Sequence, residues 1–595
     1  MVMLTPADID RWDPAEVQAV SRAATTRAES ADAAAAALAE LPGLATWSGV
    51  AGEAARAAIE VTRLALDTHA RESRAVARAA DAAAVDIARL KAQLGHLDDD
   101  ARAAGLMIDR DAGTVLPADR FHGTTGQFAA KAGPMMDRLD EILAAATEVD
   151  DQLAHAIAMA DAVFPMPEIP RAMTAEDTVR WWESLNPIAR NQLLEHNPVE
   201  LGQRDGIPAM DRSIANVNAM TDDLERIERT AAAYGVPVEQ VLAQPHQFHR
   251  SRDDVVRYTV AHHVKAGMEY NRAQTGAEIL LLCYRPGDFG GQGRATIAIG
   301  DPDDAEHNAV LVPGTGNSAA NGWFGRSDAA AQFYNETVAA AAESDRAANR
   351  SASGAAVSVL AWMGYDAPDA ITDPRIAQTA LARRGGELLA ADVNALTLTR
   401  HGPSHVTVVG HSYGATTVAD AAAGYGMRAD DVVLLGAPGT DLAHSAADFG
   451  LPADGRVYVG AAATDPVTNL AGVPGRIPGT DLPLGRTGLG ADPAADGFGS
   501  TRFKSEFGGW SWQPWADHDR YFESGSESLF SIAAVASGRG TELQEFGMTA
   551  PHRESVLGPW AARLGLPSWS VPLTDPELLR PATTGHHHSP LRAGS

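Results

Sequence analysis

Between Val406 and Asp420 the chain reads Val-Thr-Val-Val-Gly-His-Ser-Tyr-Gly-Ala-Thr-Thr-Val-Ala-Asp, and no other segment constrains the fold as tightly. A β-branched run of strand character stops at Gly410, and an alanine-rich helical pattern begins at Ala415. Strand and helix therefore meet across Gly410-His411-Ser412-Tyr413-Gly414, a G-x-S-x-G pattern. In a nucleophile elbow the serine occupies a strained strand-to-helix turn that lifts its hydroxyl clear of the backbone. Glycines on both flanks remove side chains that would collide as strand and helix close around it. A bare G-x-S-x-G arises often by chance in a chain with 55 glycines. Its position between a buried strand and a small-residue helix makes Ser412 the candidate nucleophile. The alternative is a tight turn in a non-catalytic α/β domain.

At 595 residues the chain is too long for one ordinary core, so two or three domains are expected. Apolar content of 45% and charged content of 21% are those of a globular protein. A net charge of −29 argues against nucleic acid as a partner, because phosphate binding needs a local excess of Lys and Arg. It also disfavours adsorption to an anionic membrane. The single cysteine, Cys283, excludes an intramolecular disulfide and a cysteine-based zinc site, and is read as a small buried hydrophobe. The first residues lack a basic segment followed by an apolar one, and no run of about 18 apolar residues exists to span a bilayer. The expected location is the cytoplasm, or outside by a route that reads no Sec signal.

Residues 1–165 read as an all-helical bundle. Asp13-Pro14-Ala15-Glu16 combines an N-cap, a first-turn proline and an acidic residue. Helical spacing is expected from there to Leu41, from about 51 to 94 through Ile59, Leu66, Val76, Val85 and Ile87, and from about 126 to 163. Residues 166–275 read as a connecting region of short helices broken by turns. From about residue 276 to 567 strands alternate with helices, the signature of a mostly parallel sheet covered on both faces. Strands are expected over 278–285, 294–300, 308–313, 356–362, 405–409, 431–435 and 456–460. Residues 568–595, rich in Pro, Thr and His, read as a disordered tail, with His586, His587 and His588 as polar low complexity rather than a metal site.

A serine hydroxyl needs a histidine to accept its proton and an acid to orient that histidine. In the α/β-hydrolase order both follow the serine, on loops beyond strand ends. Asp465 follows the strand 456–460 and is the favoured acid; Asp441, after the previous strand, is the rival. Asp430 and Asp431 precede that strand and face the wrong end of the sheet. His518, near Trp510, Trp512 and Trp515, is the candidate base, with His552 also available by order. His411 is read as structural, pointing away from the nucleophile. Oxyanion donors are expected at the amides of Tyr413 and of Thr315, the latter in Val310-Leu-Val-Pro-Gly-Thr-Gly-Asn317. Such a site cleaves an ester, thioester or amide through an acyl-enzyme and needs no metal or organic cofactor. The long Gly- and Pro-rich segment 466–512 reads as a lid over a lipid-like ester substrate or as a spacer.

Trp181-Trp182, Asp205-Gly-Ile-Pro208, Pro313-Gly-Thr-Gly316, Gly410-His-Ser-Tyr-Gly414, Ala463-Thr-Asp-Pro466 and His518-Asp-Arg-Tyr-Phe522 together resemble a family of actinobacterial α/β-hydrolases long catalogued as a domain of unknown function. The resemblance spans Trp181 to about Gly540 and implies an α/β-hydrolase fold with a serine-hydrolase triad. Ser412 and His518 match its triad positions and Asp465 fits less tightly; no substrate is implied. Separately, a long helix, Trp47-Ser48-Gly49 and a second long helix resemble the small secreted hairpin proteins of type VII secretion. That resemblance implies that residues 1–165 dock a helical protein partner, in a non-catalytic interaction role if the hydrolase fold is only a scaffold. A plain helical bundle accounts for the same pattern. The chain departs from that pattern in lacking a Tyr-x-x-x-Asp/Glu tail after the second helix.

Overall fold

The computed structural model describes residues 4–39, 50–119, 121–162, 167–347, 357–471, 488–507, 516–554 and 574–588. The Trp47-x-Gly49 motif, Trp510, Trp512 and Trp515, and residues 472–487 and 508–515 of the long segment between acid and histidine lie outside the described residues. The chain divides into two compact units, one of residues 1–169 with 186–192, the other of 170–185 with 193–595.

In the first unit three long helices, Pro14–Ala39, Val50–Ala103 and Thr125–Ala162, carry the fold. Asp13 starts the first as expected, its carboxylate accepting from the Ala15 amide at 2.8 Å. Ile87, Leu90, Leu94, Leu97 and Ala101, spaced by three and four, form the buried stripe of the second and meet Leu139 and Ile142 of the third. Val85, expected on that stripe, is instead 68% exposed. The region is not purely helical. A two-stranded antiparallel hairpin, β1 (Leu106–Asp109) and β2 (Thr114–Pro117), interrupts it, burying Leu106, Ile108 and Val115 in the same core.

The second unit is built on an eight-stranded sheet. Its strands are β3 (Ile279–Arg285), β4 (Arg294–Ile299), β5 (His307–Val312), β6 (Val357–Met363), β7 (His405–His411), β8 (Asp431–Leu435), β9 (Val457–Gly460) and β10 (Thr501–Phe503). Their order across the sheet is β10-β9-β8-β7-β5-β6-β4-β3. β3 and β4 pair antiparallel with their neighbours, and the rest are parallel. Near-continuous burial along β4, β6 and β8 matches strands covered on both faces. Helices Ala329–Ala347 and Glu527–Ala536 pack as one pair, Ala380–Thr399 and Tyr413–Tyr425 as another.

Two expectations need correction here. Residues 166–275 do contain the expected short helices, Ala175–Ser184, Pro187–His196, Pro198–Leu201 and Val238–Ala243, but also two long ones, Ala209–Tyr234 and Arg252–Thr275. Both long helices join the sheet's core through Met220, Leu224, Val260 and Val264. Asn216 Nδ2 donates to the Leu281 carbonyl at 3.0 Å, and Ser213 Oγ accepts from the Leu281 amide at 3.0 Å. Polar residues at these inward positions satisfy edge strand β3, so the pattern looks turn-like in sequence although the helix is continuous. The tail is not disordered over 574–588. Glu577 and His588 are buried there, and Arg580 pairs with the fully buried Glu527.

Candidate active site

β7 feeds directly into helix Tyr413–Tyr425, and the residue between them is Ser412, at φ 58° and ψ −128°. Only three non-glycine residues among those described have positive φ, and Ser412 combines that strain with a reactive hydroxyl. The flanking glycines are steric necessities. A Cβ on Gly410 would lie 2.6 Å from the Ala415 Cα, and one on Gly414 would lie 2.5 Å from the Val312 carbonyl oxygen. The Ser412 amide donates to the Leu435 carbonyl at 2.9 Å, tying the turn to the end of β8.

Asp465 sits on the loop after β9 and is fully buried. His518 Nδ1 donates to its Oδ2 at 2.9 Å, the Tyr521 hydroxyl donates to the same oxygen at 2.8 Å, and the Val467 amide donates to Oδ1 at 2.8 Å. Burial alone would raise this carboxyl. The hydrogen bond and charge of His518, the Tyr521 hydroxyl and the Val467 amide outweigh it and hold the group below its ordinary value. The bond to Asp465 fixes the proton on Nδ1 and leaves Nε2 as the free basic nitrogen of His518. Asp441 is held elsewhere, by Arg383 at 2.7 Å. His552 is also engaged away from this cluster, its Nε2 bonded to the Ser500 carbonyl at 2.9 Å.

Ser412, Tyr413, Thr315 and His518 line one cavity of about 660 Å³. Among the described residues no hydrogen bond joins Ser412 Oγ to the His518 imidazole; the two side chains share the cavity wall. Most of the remaining lining is apolar, including Trp323, Ile371, Val467, Leu489 and Phe522. The Thr315 loop is tightly held. Tyr365 donates to the Pro313 carbonyl at 2.6 Å, Asn317 Nδ2 to the Gly314 carbonyl at 3.1 Å, and Asn321 Nδ2 to the Gly316 carbonyl at 2.7 Å. Gly314 lies so close to the serine that a Cβ there would be 2.9 Å from Ser412 Oγ. The Thr315 hydroxyl is buried without a partner, and Tyr413, as the first residue of its helix, has an amide with no acceptor inside that helix.

Residues 288–474 match a protein family described as alpha/beta hydrolase. The second unit has an α/β-hydrolase fold. Residues 42–186 match another family, described as uncharacterised protein Rv0964c, a description that names neither an activity nor a secretion system. The uncharacterized protein Rv2079 of Mycobacterium tuberculosis is 40% identical over 435 residues, covering 69% of this chain and 64% of its own length. The chain thus spans less than two thirds of that relative. Uncharacterized protein Mb0988c of Mycobacterium bovis is 34% identical over 148 residues, 25% of this chain and 53% of its own. A solved esterase from Pyrobaculum calidifontis aligns over 50% of this chain and 97% of its own at 14% identity, with a TM-score of 0.24.

One strand and two residues of the candidate site were not singled out from sequence. Strand β10, three residues long, escapes pattern recognition, yet its parallel pairing with β9 precedes the loop that carries His518. Gly436, at φ 56° after β8, faces the histidine and acid: a Cβ there would lie 2.9 Å from His518 Cε1 and 3.1 Å from Asp465 Oδ2. Tyr521 figured only as a motif letter, and its role is visible only once its hydroxyl meets Asp465. His411 is not turned away from the site. Its Nε2 donates to the His518 carbonyl oxygen at 2.7 Å, and its ring lies 4.8 Å from that of His518. Desolvation, then the neighbouring His518, pushes its pKa down to about 3, so it is a neutral donor. Among the described residues, no helix is long and apolar enough to cross a membrane.

Proposed function

We propose that this chain is a serine hydrolase that cleaves carboxylic esters through a Ser412–His518–Asp465 triad and an acyl-enzyme. The observation that carries the reading is the strained Ser412 sharing an apolar cavity with an imidazole whose Nδ1 is already held by a buried carboxylate. The match of residues 288–474 to an alpha/beta hydrolase family supports the same chemistry.

In this mechanism His518 Nε2 takes the Ser412 proton as Oγ attacks the ester carbonyl. The oxyanion is received by the amides of Tyr413 and Thr315, each donor of this kind being worth about 3–4 kcal/mol. Asp465 stabilises the imidazolium, which then returns the proton to the departing alkoxide. Water, deprotonated by the same Nε2, attacks the acyl-enzyme and releases the acid and free Ser412. The mechanism requires Ser412 Oγ and His518 Nε2 to close to hydrogen-bonding distance as substrate excludes water; such bonds commonly tighten only in the Michaelis complex. The apolar lining suits an ester with a hydrocarbon acyl group, since each buried methylene contributes about 0.8 kcal/mol.

The test is labelling with a fluorophosphonate together with hydrolysis of p-nitrophenyl esters of increasing chain length. Wild type is expected to label, Ser412→Ala to resist, and kcat/KM to rise from acetate toward longer acyl chains. Equal labelling of Ser412→Ala, or an unreactive wild type, rejects the assignment.

A further inference from the structure

The loop that bears Asp465 is gripped at both ends by arginines, and a residue far along the chain neutralises both. At the start of the loop, Arg502 Nη2 donates to the Ala461 carbonyl at 2.8 Å. At its end, Arg553 Nη1 and Nη2 donate to the Thr468 carbonyl at 2.8 Å and hydroxyl at 2.7 Å. The Thr468 hydroxyl in turn donates to the Asp465 carbonyl at 3.0 Å. Both guanidinium groups are buried, at 1% and 3% exposure, so each needs a counter-charge where it sits. Asp575 Oδ2 accepts from Arg502 Nη2 and from Arg553 Nε, each at 2.8 Å. Asp492 assists at Arg553 only, from 3.3 Å. The segment that carries Asp575 is itself anchored, by two Thr574–Glu554 main-chain bonds and by Arg580 on buried Glu527.

We propose that Asp575 is a positioning residue for the acid of the triad: the segment 574–588 clasps the Asp465 loop through Arg502 and Arg553, and catalysis requires it. The proposal rests on the serine-hydrolase reading for its kinetic consequence but not for its structural one. Asp575→Asn keeps the size and one acceptor while removing the charge that aligns two cations. The Asp465 loop then relaxes, and His518 loses part of its carboxylate partner.

The experiment compares full-length wild type, Asp575→Asn and Thr468→Val. The second variant cuts the Arg553–Asp465 link without touching the clasp's charge, and serves if the first does not fold. For each, the pH profile of ester hydrolysis is measured beside the low-field proton resonance of the His518 Nδ1–H, assigned by its loss in His518→Ala. The expected result is a roughly ten- to hundredfold lower kcat at little-changed KM, less than the roughly 10⁴-fold cost of disabling a triad acid outright. The acidic limb shifts to lower pH, because an imidazole without an aligned carboxylate binds its proton less tightly. The low-field resonance broadens or moves upfield. A folded variant whose pH limb and resonance both superimpose on wild type overturns the proposal. If wild type hydrolyses no ester, the serine-hydrolase reading fails, and the resonance alone still decides whether the clasp holds Asp465.

Discussion

His411 donates from Nε2 to the main-chain oxygen of His518 across 2.7 Å, so the residue just before the candidate nucleophile braces the loop that carries the candidate base. The carbonyl can only accept, which fixes His411 as the neutral Nε2–H tautomer. Serine and histidine, 106 residues apart, are thereby tied to one another through the elbow itself.

This arrangement makes acid stability depend on His411. Its pKa is pushed from an ordinary 6.5 to about 3 in the folded chain. The stability this group contributes is fully present above about pH 6.5 and is lost as pH falls toward about 3, because only the unfolded chain takes up the proton over that window. Denaturation midpoints between pH 7 and pH 4 are expected to fall less steeply in His411→Leu than in wild type. At pH 7 the same variant is expected to lose about 1–3 kcal/mol by orphaning the His518 carbonyl. Parallel slopes for the two proteins would show that His411 is not the group responsible.

Gly436 leaves room for the histidine–acid pair. Gly436→Ala places a methyl 2.9 Å from His518 Cε1 on a backbone with φ of 56°. The strained backbone costs about 1 kcal/mol, while the displaced imidazole is expected to lower kcat at least tenfold. Steady-state kinetics with a melting curve separate the two effects; a variant with full kcat would mean that the imidazole has slack the geometry does not suggest.

Tyr521 holds Asp465 Oδ2 and accepts from the Ala462 amide at 3.1 Å. In Tyr521→Phe both partners lose that bond while the ring stays packed, a change of about 1–3 kcal/mol in stability. A drop of roughly tenfold in kcat is expected, measured on p-nitrophenyl esters at matched folded fraction. Unchanged turnover would remove Tyr521 from the account of how the acid is held.

Asp420 lies inside helix Tyr413–Tyr425 with Oδ2 buried and unpartnered. Burial, helped by the neighbouring Asp441, pushes its pKa up to about 7. The stability it supplies is therefore full below about pH 4 and is lost as pH rises through about 7, where the buried carboxyl must ionise. Asp420→Asn is expected to be more stable than wild type by roughly 1–3 kcal/mol at pH 8, with the gap closing toward pH 4. Urea unfolding at the two pH values checks this, and a gap that widens on acidification would refute it.

The seven strands expected from sequence coincide with β3 to β9 within about two residues at either end, because burial on both faces writes an apolar run that needs no partner to be read. The elbow was legible for a similar reason: two glycines around a serine at a strand–helix junction are a local steric requirement. β10 was not, since three residues at the sheet edge carry no period. Nor were the long helices over 209–234 and 252–275, whose inward Asn216 and Ser213 make sense only against β3.

What the chain determined by itself was the order of its elements and the place of Ser412, since both follow from backbone geometry and from burial that neighbouring residues encode. Tertiary structure alone decided that His518 meets Asp465 while Asp441 meets Arg383, that His411 braces rather than turns away, and that Asp575 pairs with both Arg502 and Arg553. Each of those depends on charges and hydrogen-bonding groups tens to hundreds of residues apart finding one another after desolvation, and a linear pattern records the groups but not their meeting.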